Sequence, residues 1–61
     1  MPYVTVKMLG GRTEEQKKAL VEKVTDAANE TTGAPKENIV VFIEEMEKNH
    51  YAVGGKRLSD Q

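Results

Sequence analysis

A chain of 61 residues with a formal net charge of −1, one histidine and no cysteine is expected to form one domain over residues 1–61. This composition excludes a disulfide scaffold, a zinc site built from cysteines and histidines, and a strongly basic nucleic-acid binder. No apolar run approaches the roughly 18 residues of a membrane-spanning helix, so a cytoplasmic protein is expected. A domain of this size buries only about 60% of the surface that its unfolded chain exposes, which favours self-association.

The first predicted element is a strand over Tyr3–Leu9, which follows Pro2 directly. Its alternation places one set of apolar side chains on a single face, namely Val4, Val6 and Met8. Pro2 has two interpretations. It either opens an edge strand, where its missing N–H costs nothing, or becomes a rigid N-terminal secondary amine after removal of Met1. Position alone favours the first interpretation.

A long helix is predicted over Glu14–Thr32, after a break at Gly10-Gly11-Arg12. Thr13 and Gln16 have the spacing of a capping box, in which each side chain accepts a hydrogen bond from the backbone of the other residue. Gly33 is a natural C-terminal cap. At 1.5 Å per residue the helix is roughly 28 Å long.

A second strand is predicted over residues 39–43, a continuous apolar run rich in β-branched side chains. Strand, helix and strand form a βαβ unit with parallel strands and a right-handed crossover. One helix covers only one face of such a sheet, so the other face needs a partner subunit. Within residues 50–58, the pair Gly54-Gly55 predicts a short hairpin.

The order and spacing of its motifs make the chain resemble the 4-oxalocrotonate tautomerase family over nearly its whole length and without gaps. The residues that carry the resemblance are Pro2 opening a strand, Leu9-x-Gly11-Arg12-Thr13-x-Glu15-Gln16-Lys17, Ile43-x-Glu45-Met46, and His50-Tyr51-x-Val53-Gly54-Gly55. The resemblance implies an α+β fold with one β-α-β unit and a C-terminal β-hairpin. It also implies that two protomers share a four-stranded sheet and that three such dimers form a homohexamer.

The activity that the resemblance implies is a cofactor-independent and metal-independent keto–enol isomerisation of 2-hydroxydienoates such as 2-hydroxymuconate, or of enolised 2-oxo acids. Pro2 would be the general base, active only if Met1 is removed. Arg12 would bind the substrate carboxylate in a neighbouring subunit's site through two parallel hydrogen bonds. Leu9 and Tyr51 would wall the substrate pocket. Without the resemblance, Arg12 would be read as a solvated loop residue.

Two positions depart from the family pattern. Val40 stands where dicarboxylate-converting members carry an arginine, which predicts slower turnover of the dicarboxylate, or a preference for a smaller 2-hydroxydienoate or an enolised arylpyruvate. Three other cations are candidates to supply the missing charge, namely Arg57, Lys56 and Lys36. Gly10 stands where relatives commonly carry an acidic residue, and two successive glycines are expected to loosen the turn before Arg12.

Two alternatives remain open. Relatives with this fold hydrate or dehalogenate haloacrylates or decarboxylate oxo acids, but those reactions need a further acid or water-activating residue, and none stands out here. The other alternative is a non-enzymatic oligomeric module or an inactive subunit. The presence of both Pro2 and Arg12 argues against this alternative, whereas Met1 and Val40 argue for it.

Overall fold

The computed structural model describes all residues from 1 to 61 and has the predicted β-α-β order. Strand β1 covers Tyr3–Leu9, helix α1 covers Glu14–Thr32, and strand β2 covers Val40–Met46. A hairpin of β3 (Ala52–Val53) and β4 (Lys56–Arg57) follows. Three short 3₁₀ turns lie at Lys36–Asn38, Lys48–His50 and Leu58–Asp60.

Strand β2 differs from the predicted range of 39–43 at both ends. Ile39 is not part of the strand, because its N–H donates to the carbonyl of Lys36 at 3.1 Å and closes the preceding 3₁₀ turn. The strand continues three residues beyond Ile43 because its ladder with β1 extends to the pair Leu9 and Met46. The apolar run therefore marks only the middle of the strand.

The ends of α1 are those that the sequence predicts. The hydroxyl oxygen of Thr13 accepts from the N–H of Gln16 at 3.1 Å, and the side-chain carbonyl of Gln16 accepts from the N–H of Thr13 at 2.9 Å. At the other end, Gly33 has a φ of 78° and donates its N–H to Asn29 at 3.0 Å. The left-handed conformation suits glycine because it has no Cβ.

Strands β1 and β2 are parallel, with Tyr3 opposite Val40 and Leu9 opposite Met46. Residues opposite each other point to the same face, so the register sorts the side chains into two sets. Helix α1 covers the first set, which consists of Val4, Val6, Met8, Val41, Ile43 and Glu45. The second set forms what we call the open face, which consists of Tyr3, Thr5, Lys7, Leu9, Val40, Phe42, Glu44 and Met46.

The open face leaves large apolar side chains in solvent. Tyr3 is 66% exposed and Phe42 is 52% exposed, with their ring centroids 6.4 Å apart. None of the 61 residues is fully buried in the isolated chain, whose dimensions are 43 × 25 × 13 Å. An isolated two-layer unit with no buried residue lacks a core of its own, which agrees with the sequence-based expectation that this sheet face needs a cover.

The C-terminal hairpin has the predicted tight turn. Val53 pairs with Lys56, and the turn residues Gly54 and Gly55 have φ values of 61° and 85°. Two successive positive φ angles are typical of the turn that joins antiparallel strands through two residues. No helix of this chain is both long and apolar enough to cross a bilayer.

Candidate active site

Pro2 lies at the amino end of β1, where the two parallel strands begin. Its carbonyl oxygen accepts a hydrogen bond from the N–H of Val40 at 3.1 Å, which fixes Pro2 beside the start of β2. In the chain that begins with Met1, the nitrogen of Pro2 is a tertiary amide and has no useful basicity. Removal of Met1, which is 74% exposed, leaves a secondary amine at the same place.

The open face carries apolar side chains at the end of the sheet where Pro2 lies. Val40 lies directly opposite Tyr3 in the register, and the Tyr3 and Phe42 rings are tilted by 53° to each other. An apolar environment disfavours the charged form of an amine and so lowers its pKa, provided that solvent is excluded. A subunit that covered the open face would exclude solvent here.

Leu9 and Arg12 lie at the other end of β1. They line one cavity of about 420 Å³ together with Gly10, Met46, Glu47 and Lys48. Leu9 and Met46 belong to the open face, so the cavity lies at the carboxyl end of the surface that a partner would cover. We call it the carboxyl-end cavity.

The turn that presents Arg12 begins with a backbone hydrogen bond and contains one glycine with a positive φ. The N–H of Gly10 donates to the carbonyl of Met46 at 3.0 Å and so extends the ladder between the strands by one bond. A Cβ atom on Gly10 would meet only ordinary contacts, the nearest at 3.7 Å, so this position does not require glycine. Gly11 has a φ of 110° and does require it.

Lys17 joins the start of α1 to the end of β2. Its Nζ lies 2.9 Å from a carboxylate oxygen of Glu14 and 2.9 Å from one of Glu45, and its side chain is only 18% exposed. The hydrogen bond to Glu45, followed by that to Glu14, raises the pKa of Lys17. In the sequence Lys17 belongs to a charged helix face that would be read as solvated, and no local signal reveals a partner 28 residues away.

One protomer does not assemble all four predicted site residues. Pro2 and Leu9 are seven residues apart on an extended strand, which places them about 23 Å apart at 3.3 Å per residue. Tyr51 follows the turn Lys48–His50, is 42% exposed, and is not among the residues that line the carboxyl-end cavity. The structure therefore brings Leu9 and Arg12 together but leaves Pro2 and Tyr51 elsewhere. No three or more His, Cys, Asp or Glu side chains form a group that could hold a metal ion.

Comparison with known proteins gives the family. The family model described as tautomerase enzyme matches residues 2–61. A probable tautomerase of Bacillus cereus is 87% identical over the whole of both chains, and the 2-hydroxymuconate tautomerase of Bacillus subtilis strain 168 is 78% identical over 98% of this chain and 97% of its own. The chain belongs to the tautomerase family and is an isomerase-type enzyme.

Two solved structures agree with this assignment. The crystal structure of a homologue of 4-oxalocrotonate tautomerase superposes with a TM-score of 0.94, at 77% identity over 98% of each chain. A heterohexamer 4-oxalocrotonate tautomerase from Chloroflexus aurantiacus J-10-fl superposes with a TM-score of 0.89, at 30% identity over 98% of this chain and 97% of that chain. The predicted fold class and family are thereby confirmed.

Proposed function

We propose that this protein is a cofactor-independent keto–enol tautomerase of 2-hydroxydienoates such as 2-hydroxymuconate, or of enolised 2-oxo acids. Pro2 is the general base after Met1 has been removed. The observation that carries the proposal is the placement of Pro2 and Arg12 at the two opposite ends of β1, with Pro2 bonded to the start of β2 and Arg12 lining the carboxyl-end cavity. The Bacillus subtilis relative, named 2-hydroxymuconate tautomerase, supports the substrate class.

Under this proposal the active site forms between protomers. Two chains whose sheets join edge to edge in opposite directions bring Pro2 of one chain towards the carboxyl-end cavity of the other, and further dimers cover the open face of the shared sheet. The resulting assembly is a homohexamer of three dimers, each with a four-stranded sheet. The heterohexamer from Chloroflexus aurantiacus shows that a relative forms an assembly of six chains, although from more than one kind of chain.

The chemistry assigned to Pro2 is the transfer of one proton. The neutral amine takes the proton of the 2-hydroxyl group, the O–H electron pair forms the C=O bond, and the conjugated double bonds shift by one position. The ammonium then returns the proton to the carbon at the far end of the conjugated system. For this cycle the pKa of the amine must be low enough to leave it neutral, and the apolar patch of Tyr3, Val40 and Phe42 acts in that direction.

Arg12 binds the substrate carboxylate in this scheme. A planar guanidinium matches a carboxylate because two of its N–H groups donate in parallel. In this structure Arg12 lies within 4.0 Å of no Asp or Glu carboxylate, whereas Lys7, Lys17, Lys36 and Arg57 each have such a partner. Its charge is therefore available to a ligand in the carboxyl-end cavity.

Val40 narrows the choice of substrate. It lies opposite Tyr3 and next to Pro2, and it supplies no charge beside the reacting centre. Of the three candidates to replace that charge, Arg57 is engaged with both oxygens of Asp60 at 2.9 and 3.1 Å, and Lys36 lies 2.7 Å from Asp26. Lys56 lies on β4 of the C-terminal hairpin and lines none of the cavities. We therefore propose faster turnover of monocarboxylates than of the dicarboxylate 2-hydroxymuconate.

The test of the base uses protein whose intact mass shows that Met1 is absent. Ultraviolet assays on 2-hydroxymuconate and phenylenolpyruvate compare the wild type with Pro2→Ala. We expect Pro2→Ala to lose at least a hundredfold in kcat, in line with the roughly 10² to 10⁴ that one acid–base group contributes. Retention of most of the activity by Pro2→Ala would contradict the assignment of the base.

A further inference from the structure

We propose that Lys48 is a second carboxylate-binding residue of this active site, placed beside Arg12 in the carboxyl-end cavity. The inference rests on the proposed function, because it assigns a role within the same substrate site. Sequence reasoning does not single out Lys48, since it belongs to no motif and stands 36 residues after Arg12 in the chain. Only the fold places the two side chains on one cavity.

The first argument is the availability of the two charges. Four of the nine basic side chains of this protein lie within 4.0 Å of a carboxylate oxygen. Arg12 and Lys48 are not among these four, and they are the only two such unengaged cations that line the same cavity. Lys18, which is also unengaged, lines a different groove together with Glu14, Glu22 and Glu45.

The second argument is the shape and charge of the carboxyl-end cavity. Its apolar lining consists of Leu9 and Met46, which are paired in the register of the sheet and lie on the open face. Its charged lining consists of Arg12, Lys48 and Glu47, which leaves a net charge of +1 from two cations and one anion. A lining of this kind suits one carboxylate attached to an apolar body, and Glu47 disfavours a second carboxylate.

The third argument is the way in which the chain holds Lys48. It is the first residue of the 3₁₀ turn that follows β2, and the N–H of His50 closes this turn by donating to the carbonyl of Glu47 at 2.9 Å. The backbone of Lys48 is therefore fixed at the rim, while its flexible stem carries a mobile point charge. Such a group strengthens binding without selecting one geometry, so its loss should raise KM and leave kcat nearly unchanged.

The test measures kcat and KM for phenylenolpyruvate and 2-hydroxymuconate in protein free of Met1. The variants are Lys48→Met, Lys48→Arg and the control Lys23→Met, which removes an exposed helix lysine that lines none of the cavities. We expect Lys48→Met to raise KM about two- to fivefold, as for one solvated ion pair, with kcat changed less than twofold. Lys48→Arg should restore KM, and Lys23→Met should behave as the wild type.

The outcomes separate this inference from the proposed function. Equal KM values for Lys48→Met and Lys23→Met, in a protein that Pro2→Ala inactivates, would overturn the role of Lys48 alone. Full activity of Pro2→Ala would overturn the assigned base, and the KM comparison would still decide the role of Lys48. A wild type without activity on either compound would overturn both. Circular dichroism and native mass of each variant establish that fold and assembly are unchanged.

Discussion

The backbone N–H of Val40 donates a hydrogen bond of 3.1 Å to the carbonyl oxygen of Pro2. This bond joins the amino ends of the two parallel strands and makes Val40 the immediate neighbour of the proposed base. Because Val40 is apolar, it places no charge beside the proposed base. Substrate preference in this protein should depend on that contact.

Replacement of Val40 by arginine should shift the preference towards dicarboxylates. Val40 is only partly buried and belongs to the open face, so a longer side chain has room to extend. We expect Val40→Arg to raise kcat/KM for 2-hydroxymuconate relative to phenylenolpyruvate by about tenfold, or about 1.4 kcal/mol, the size of one charge-assisted contact. The control Val40→Leu retains an apolar side chain and should leave the ratio unchanged. An unchanged ratio in Val40→Arg would mean that Val40 does not face the substrate.

Introduction of charge on the open face should dissociate the assembly. Phe42 is 52% exposed in the isolated chain, and covering such a ring stabilises an interface by about 2 kcal/mol per subunit. We expect Phe42→Glu to reduce the native mass to that of smaller species and to abolish activity. Ala19→Glu introduces the same charge at an exposed helix position and should retain the wild-type mass. A full-size, active Phe42→Glu protein would show that the open face is not the interface.

The ion pairs of Lys17 should stabilise the fold over a defined pH range. Glu45 and Glu14 raise the pKa of Lys17 above its ordinary value of 10.5, so the folded state holds this proton more tightly than the unfolded state. The stabilisation is then fully present below pH 10.5 and is lost as the pH rises through the higher folded-state value. We expect Lys17→Met to lower Tm by a constant amount from pH 6 to 9, a deficit that shrinks above about pH 10.5.

The control for Lys17 is Lys23→Met, which removes a lysine from the same helix that has no carboxylate within 4.0 Å. It should leave Tm unchanged at every pH. A deficit of Lys17→Met that grew at high pH would contradict the sign of this argument, since deprotonated Lys17 no longer pairs with either carboxylate.

The elements that sequence reasoning predicted correctly are those with local signals. The capping box of Thr13 and Gln16 and the hairpin turn of Gly54 and Gly55 depend on residues a few positions apart. The length of β2 could not be predicted in this way, because Glu44 and Glu45 interrupt the apolar run and only pairing with β1 keeps them in the strand.

The candidate site was less predictable than the fold because its parts are far apart in the chain. The link between Lys17 and Glu45 spans 28 residues, and the shared cavity of Arg12 and Lys48 depends on how two strands end side by side. The role of Pro2 was predicted from the family resemblance and not from the local sequence, since a proline that opens a strand is ordinarily structural. Its role as base stays a prediction.

The most direct test of a site shared between chains is the mixing of two inactive variants. Pro2→Ala lacks the base and Arg12→Ala lacks the carboxylate-binding group, but a mixed assembly contains some sites with both. If Pro2 and Arg12 act from different chains, unfolding and refolding the two proteins together should restore up to about a quarter of the wild-type kcat. The reason is that each site draws on two chains, and only one of the four equally frequent pairs of chains supplies both Pro2 and Arg12. Each variant refolded alone should stay inactive. A mixture that remained as inactive as its components would contradict the shared active site.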